Sequence, residues 1–127
     1  MRIFKTKAFN KFAQKNHILD SELLEAVVRA EQGLIDADLG GAIIKQRIAR
    51  EGQGRSGGFR SFIFYRINEN SYFVAGISKN ARDNISAQEL AALKELVKTY
   101  AALTPQQIEL QIKNRLFIEV LPEVKNE

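Results

Sequence analysis

Cysteine is absent from this chain, and histidine occurs once among its 127 residues. Without cysteine there is no disulfide bond, no thiolate nucleophile and no cysteine-based metal site. Because His17 stands alone, an acid–base pair of two histidines is excluded as well. Any catalysis by this chain must therefore use other side chains.

Long apolar runs are also missing, since none approaches the ~20 residues that a membrane-spanning helix requires. Met1-Arg2 is followed by no apolar segment, so no signal peptide is visible. We therefore expect a cytoplasmic protein without membrane attachment. Its length predicts a single domain over residues 1–127.

Acidic residues are scarce in the middle third of the chain. Residues 42–82 contain eight basic and two acidic groups, whereas residues 1–41 contain six of each and residues 83–127 contain five basic and seven acidic groups. A metal-dependent nuclease needs clustered carboxylates, so we expect no metal and no other cofactor. A segment this basic attracts a polyanion such as nucleic acid, and a solvated positive face without a ligand is the alternative.

The pattern of apolar residues predicts an α+β protein. In chain order, the predicted segments are an edge strand at 2–6, helices at 8–15 and from Asp20, a loop at 36–41, strands at 42–49 and 59–67, a turn at 68–70, a returning strand at 71–77, helices from Ser86 and Thr104, and a last strand at 116–120. Residues 51–58 hold four glycines and are predicted to be a loop.

Local signals fix some of these elements in detail. The strand at 42–49 alternates, so Lys45 and Arg47 share one face. Ser86 and Glu89 have the spacing of a capping box at a helix start. Pro105 after Thr104 suits the first position of another helix.

Two motifs flank the predicted hairpin: Gly54-Arg55-Ser56-Gly57-Gly58-Phe59-Arg60, and Ile77-Ser78-Lys79-Asn80-Ala81-Arg82-Asp83-Asn84-Ile85. With Asp38-Leu39-Gly40-Gly41 before them and Glu89-Leu90 after them, this part of the chain resembles a branch of the RelE/HigB superfamily of bacterial toxins. The chain departs from the family pattern at Arg55, where lysine is common, and at Arg115, where glycine is common.

The resemblance implies a small twisted antiparallel sheet with helices packed on one side. It also implies a toxin of a type II toxin–antitoxin system that cleaves messenger RNA, commonly on the ribosome. The implied partner is a cognate antitoxin, expected to be a helix-turn-helix protein. Two alternatives stay open: an RNA- or antitoxin-binding module without catalysis, and a ParE-like toxin directed at DNA gyrase.

RNA carries its own nucleophile, because the 2′-hydroxyl can attack the adjacent phosphorus. We expect Arg60 to hold the scissile phosphate, Lys79 to act as base or charge stabiliser, and Arg82 to stabilise the transition state or assist the leaving oxygen. A two- or four-residue hairpin turn would place Lys79 opposite Arg60, and a three-residue turn would place it opposite Phe59. For each of these cations, a solvated or ion-paired surface charge is the alternative.

Three further cations are assigned to binding of the RNA backbone. Lys45 and Arg47 are expected to contact phosphates from their shared strand face. Arg55 is expected to lie in a loop that closes over the substrate. A solvated face and a plain flexible connection are the respective alternatives.

Overall fold

The computed structural model of this chain describes residues 1–50 and 54–121, with the backbone alone for residues 50 and 54–57. Its elements follow the order β1 (Arg2–Thr6), α1 (Lys7–Lys15), α2 (Asp20–Glu31), β2 (Ala37–Gly40), β3 (Ile43–Arg50), β4 (Gly54–Ile67), β5 (Asn70–Ser78), α3 (Ala87–Ala101), α4 (Pro105–Lys113) and β6 (Phe117–Glu119). The predicted α+β class is confirmed.

The strands form one six-stranded sheet with the order β2-β3-β4-β5-β1-β6. All neighbouring strands are antiparallel except β1 and β5, which are parallel. The prediction that residues 2–6 form an edge strand is wrong, because β1 lies between β5 and β6. The predicted loop at 36–41 is also wrong in part, since residues 37–40 pair with β3 as strand β2.

Helices cover both faces of the sheet rather than one, which corrects the expected one-sided packing. Residues of α1 and α2 share a core cluster with Ile44, Ile63 and Phe73. Residues of α3 and α4 pack on the opposite face, against Phe62 and Phe64. The central strands carry large apolar side chains on both faces, so each face must be shielded from water.

Helix ends follow the sequence signals closely. Ser86 and Glu89 form the predicted capping box of α3, and Thr104 and Gln107 form a second one at the start of α4. At the other end of α4, Arg115 takes a left-handed conformation with φ 58°. The amides of Arg115 and Leu116 donate to the carbonyls of Ile112 and Gln111, which is the hydrogen-bond pattern of a Schellman motif.

The β4–β5 hairpin decides where the basic residues lie. Its turn is Asn68 and Glu69, both with positive φ, so it has two residues and Asn70 already belongs to β5. The register therefore places Arg60 opposite Ile77. The expectation of Lys79 opposite Arg60 or Phe59 is wrong. The turn at 68–69 ends one residue before the predicted turn at 68–70, so each residue of β5 pairs with a residue of β4 further from the turn than expected.

Part of the predicted glycine-rich loop, residues 54–58, is a strand instead. Strand β4 begins at Gly54, which pairs with Arg50 of β3, while residues 51–53 lie outside the described part of the chain. Backbone pairing with a neighbouring strand does not need side chains, so it overrides the low strand propensity of glycine here. Among the described residues, no helix is long and apolar enough to cross a membrane.

Candidate active site

Three basic residues of the middle third, Lys45, Arg47 and Arg60, lie on one face of two adjacent strands. Arg47 of β3 pairs directly with Arg60 of β4, and Arg60 pairs with Ile77 of β5. Residues paired in this way point to the same face of a sheet. Ile77 belongs to the apolar cluster beneath α3 and α4, so Arg47 and Arg60 lie on that face.

Lys45 lies on the same face as Arg47, as predicted, since the two are separated by one residue of strand β3. It pairs with Phe62, which also faces α3 and α4. Like charges side by side destabilise a sheet unless an anion lies between them. The structure therefore confirms the shared face, and this face is suited to an anion.

Lys79 follows the last residue of β5. Its amide donates to the carbonyl of Gly58 at 3.4 Å, one position beyond the Phe59–Ser78 pair. It is the first residue of the turn after β5, two residues beyond Ile77. We call Lys45, Arg47 and Arg60, together with the adjoining Lys79, the basic face.

Burial separates the members of the basic face. Arg60 is 8% exposed in an interior strand, whereas Arg47 and Lys79 are exposed and Lys45 is intermediate. A buried guanidinium is held in place by its surroundings, which is what binding of a substrate phosphate in a fixed position requires.

Arg82 is held elsewhere, by an ion pair. Its Nη1 and Nη2 donate to the two carboxylate oxygens of Glu89 at 2.6 and 2.8 Å. The Arg82 guanidinium, helped by Ser86, lowers the pKa of Glu89 to about 2, and the same pair raises the pKa of Arg82. The structure thus puts the backbone of Lys79 beside Gly58, two residues before Arg60 on β4, and it ties Arg82 to the start of α3.

The turn after β5 links Arg82 to the basic face. The carbonyl of Ser78 accepts from the amides of Ala81 and Arg82 at 3.0 and 3.1 Å. This tight turn keeps Arg82 next to the end of β5, which Lys79 follows. The side chain of Arg55, the remaining predicted contact, lies outside the described residues, although its backbone belongs to β4.

Arg29 is a residue that the sequence reasoning missed. It is 8% exposed, it pairs with Glu25 and Asp36, and its Nη2 donates to the carbonyl of Arg47. Asp36 also accepts from the amide of Arg47 at 2.7 Å. Arg29 thus fixes the backbone of a basic-face residue. The sequence feature that could have identified it is Glu25, four residues earlier on the same helix, at the spacing of an ion pair.

No group of side chains in the described part of the chain has the composition of a metal site. The family model described as the RelE toxin of the RelE/RelB toxin–antitoxin system matches residues 1–120. A comparison with curated proteins gave no match.

Proposed function

Because the chain belongs to the RelE toxin family of RelE/RelB toxin–antitoxin systems, we propose that it is an endoribonuclease that cleaves messenger RNA on the ribosome without a metal ion. As a member of this family it is the toxin of a type II system. The observation that carries the proposal is the basic face, where Arg47 and the buried Arg60 stand directly side by side.

The proposed reaction needs charge stabilisation more than any other help. The 2′-oxygen attacks the adjacent phosphorus and loses its proton to a base, the bond from phosphorus to the 5′-oxygen breaks, and that oxygen takes up a proton. The products are a 2′,3′-cyclic phosphate and a 5′-hydroxyl. Cations placed beforehand around the phosphorane stabilise its added negative charge.

The residues divide this work according to their positions. Arg60 binds the scissile phosphate through two guanidinium N–H groups, because its burial fixes the orientation of the guanidinium. Lys79, exposed at the strand end, acts as base or charge stabiliser, and Arg82 supports the leaving oxygen. Lys45, Arg47 and Arg55 bind flanking phosphates.

Family membership also implies a cognate antitoxin of the RelB type. We propose a helix-turn-helix protein that covers the basic face with acidic or apolar residues, and we place the toxin in the cytoplasm with the ribosomes. A complex that forms with the neighbouring gene product and abolishes cleavage would support this partner.

The test is incubation of the protein with translating ribosomes and messenger RNA, followed by mapping of the product ends. We expect cyclic phosphate and 5′-hydroxyl ends from the wild type, and a rate of their formation that is lower by about 100-fold or more in Arg60→Ala, Lys79→Ala and Arg82→Ala. Arg66→Ala is the control, because Arg66 is an exposed arginine near the end of the same strand, away from Arg60, and it pairs with Glu31.

Three other results would contradict the proposal. Tight RNA or antitoxin binding without any cleavage would indicate a binding module. Loss of DNA supercoiling with intact transcripts would indicate a gyrase-directed toxin. Cleavage at full rate by one of the three alanine variants would remove that residue from the mechanism.

A further inference from the structure

The ion pair between Arg82 and Glu89 has a more defined geometry than a surface ion pair with a single hydrogen bond. Both carboxylate oxygens of Glu89 accept from Arg82, through Nη1 at 2.6 Å and Nη2 at 2.8 Å. A two-point contact of this kind fixes the plane of the guanidinium as well as its distance.

Glu89 is itself held in place. Its side chain accepts from the amide of Ser86 at 2.9 Å, and its own amide donates to the Ser86 hydroxyl at 3.1 Å. The carboxylate therefore has a fixed position at the start of α3. Arg82 and Ser86 together hold the pKa of Glu89 near 2, so the group is charged at any physiological pH.

Capping alone does not require this charge. Helix α4 begins with the same kind of box, in which Thr104 and Gln107 satisfy each other's amides and the third residue is a neutral glutamine. Both glutamate and glutamine serve in such boxes. The helix start therefore does not need the negative charge of Glu89, and this charge contacts Arg82 instead.

The geometry leaves part of Arg82 for another acceptor. A guanidinium has five N–H groups in a rigid fork, and an end-on pair uses one hydrogen from each Nη. The edge formed by Nε and Nη2 remains for a second anion. The backbone of Arg82 is anchored to Ser78, which pairs with Phe59 next to Arg60.

We propose that Glu89 is a positioning residue of the RNA-cleaving site, which orients Arg82 so that its Nε–Nη2 edge meets the scissile phosphodiester. This inference rests on the proposed function and adds a residue to it. Glu89 does not touch the RNA, and it acts only through Arg82. An exposed ion pair adds little to folding stability, so the effect belongs to the reaction rate.

The test compares wild type, Glu89→Gln, Arg82→Ala and the double variant. Glutamine keeps the capping box but offers one oxygen instead of two, so the fork is lost. We expect Glu89→Gln to slow single-turnover cleavage about 10- to 100-fold, because a loosely held catalytic group loses its alignment. Its binding to ribosomes with messenger RNA should be unchanged.

The double variant separates positioning from a direct or structural role. If Glu89 acts through Arg82, Glu89→Gln should have no further effect on the rate once Arg82 is alanine. Gln107→Ala is the structural control: it weakens the α4 box and should lower the unfolding temperature while leaving the cleavage rate unchanged.

The outcomes are distinct. An active wild type together with a full-rate Glu89→Gln variant overturns the inference and leaves the proposed function intact. Multiplicative losses in the double variant also overturn it, because Glu89 would then act independently of Arg82. A wild type that cleaves no RNA overturns the proposed function and this inference with it.

Discussion

Two buried arginines stand on opposite sides of Arg47, one on helix α2 and the other on strand β4. Arg29 and Arg60 are equally buried, each 8% exposed. Arg29 reaches the carbonyl of Arg47 from α2 and is enclosed by the carboxylates of Glu25 and Asp36. Arg60 pairs with Arg47 across the strands, on a face that also carries Lys45.

This difference shows that burial and residue type do not by themselves mark a functional cation. Removing a buried charge from among opposite charges leaves those charges unpaired, which destabilises the fold. Arg60 instead shares a sheet face with Arg47 and Lys45, where a phosphate chain would meet several cations at once. On this basis we interpret Arg29 as structural and Arg60 as functional, and the following changes test the distinction.

The largest expected effect is on cleavage by Arg60→Ala. Removing one preorganised donor to the transition state costs about 100- to 1,000-fold in rate. Thermal unfolding should change little. Product-end assays on ribosomes and calorimetry on the same preparation measure the two quantities, and a large loss of stability with retained cleavage would reverse our assignment.

Arg29→Met should show the opposite pattern. It leaves Asp36 and the Arg47 carbonyl without their buried partner, so we expect the free energy of unfolding to fall by about 2–4 kcal/mol. This range lies below that of a fully buried ion pair, because the Glu25 side chain is half exposed and its pairing is screened by water. Urea denaturation measures it, and unchanged stability would show that the Arg29 cluster is not structural.

Arg115 extends the comparison to an arginine whose backbone conformation matters. Gly33, with φ 82°, follows the end of helix α2, and Arg115, with φ 58°, follows the end of α4 in the same hydrogen-bond pattern. A side chain costs about 1 kcal/mol in this conformation, so Arg115→Gly should raise the free energy of unfolding by about that amount. Gly33→Ala is the matched reverse change, since a methyl group there would meet no neighbouring atom. Destabilisation by Arg115→Gly would mean that the side chain has a role of its own.

The smallest expected effect concerns the exposed pair of Arg82 and Glu89 under acid conditions. The pKa of Glu89 is lowered from 4.5 to about 2 in the folded protein. The stability that this pair contributes is therefore present above pH 4.5 and is lost as the pH falls towards 2. The unfolding temperature of the wild type should approach that of Glu89→Gln over this range, and a gap that stays constant would contradict the lowered pKa.

Local patterns in the sequence were enough for much of the fold. The capping box at Ser86, the proline at the start of α4 and the alternation along β3 each depend on residues within a few positions of one another. For the same reason, Lys45 and Arg47 were correctly placed on one face. Interactions at short sequence separation can be recognised from the chain itself.

The candidate site was predicted only in part. The cationic residues were identified from composition and resemblance, and their roles stay predictions. Their arrangement depended on a hairpin turn that ends one residue earlier than expected, which moves Lys79 by one position from the expected pairing with Phe59 and by two from the pairing with Arg60. A shift of one residue in the pairing of two strands turns every side chain of the shifted strand to the other face. A small error in the predicted turn therefore changes which side chains meet at the site.

The sequence by itself determined that the chain is an α+β protein with a basic centre and no thiol or paired-histidine chemistry. Only the tertiary structure decided that β1 lies inside the sheet, that helices cover both faces, that Arg47 meets Arg60, and that Glu89 holds Arg82. Most of these contacts join residues far apart in the chain, while Arg82 and Glu89 meet across the turn between β5 and α3. They are set by which surfaces must be buried together, and no local pattern encodes that choice.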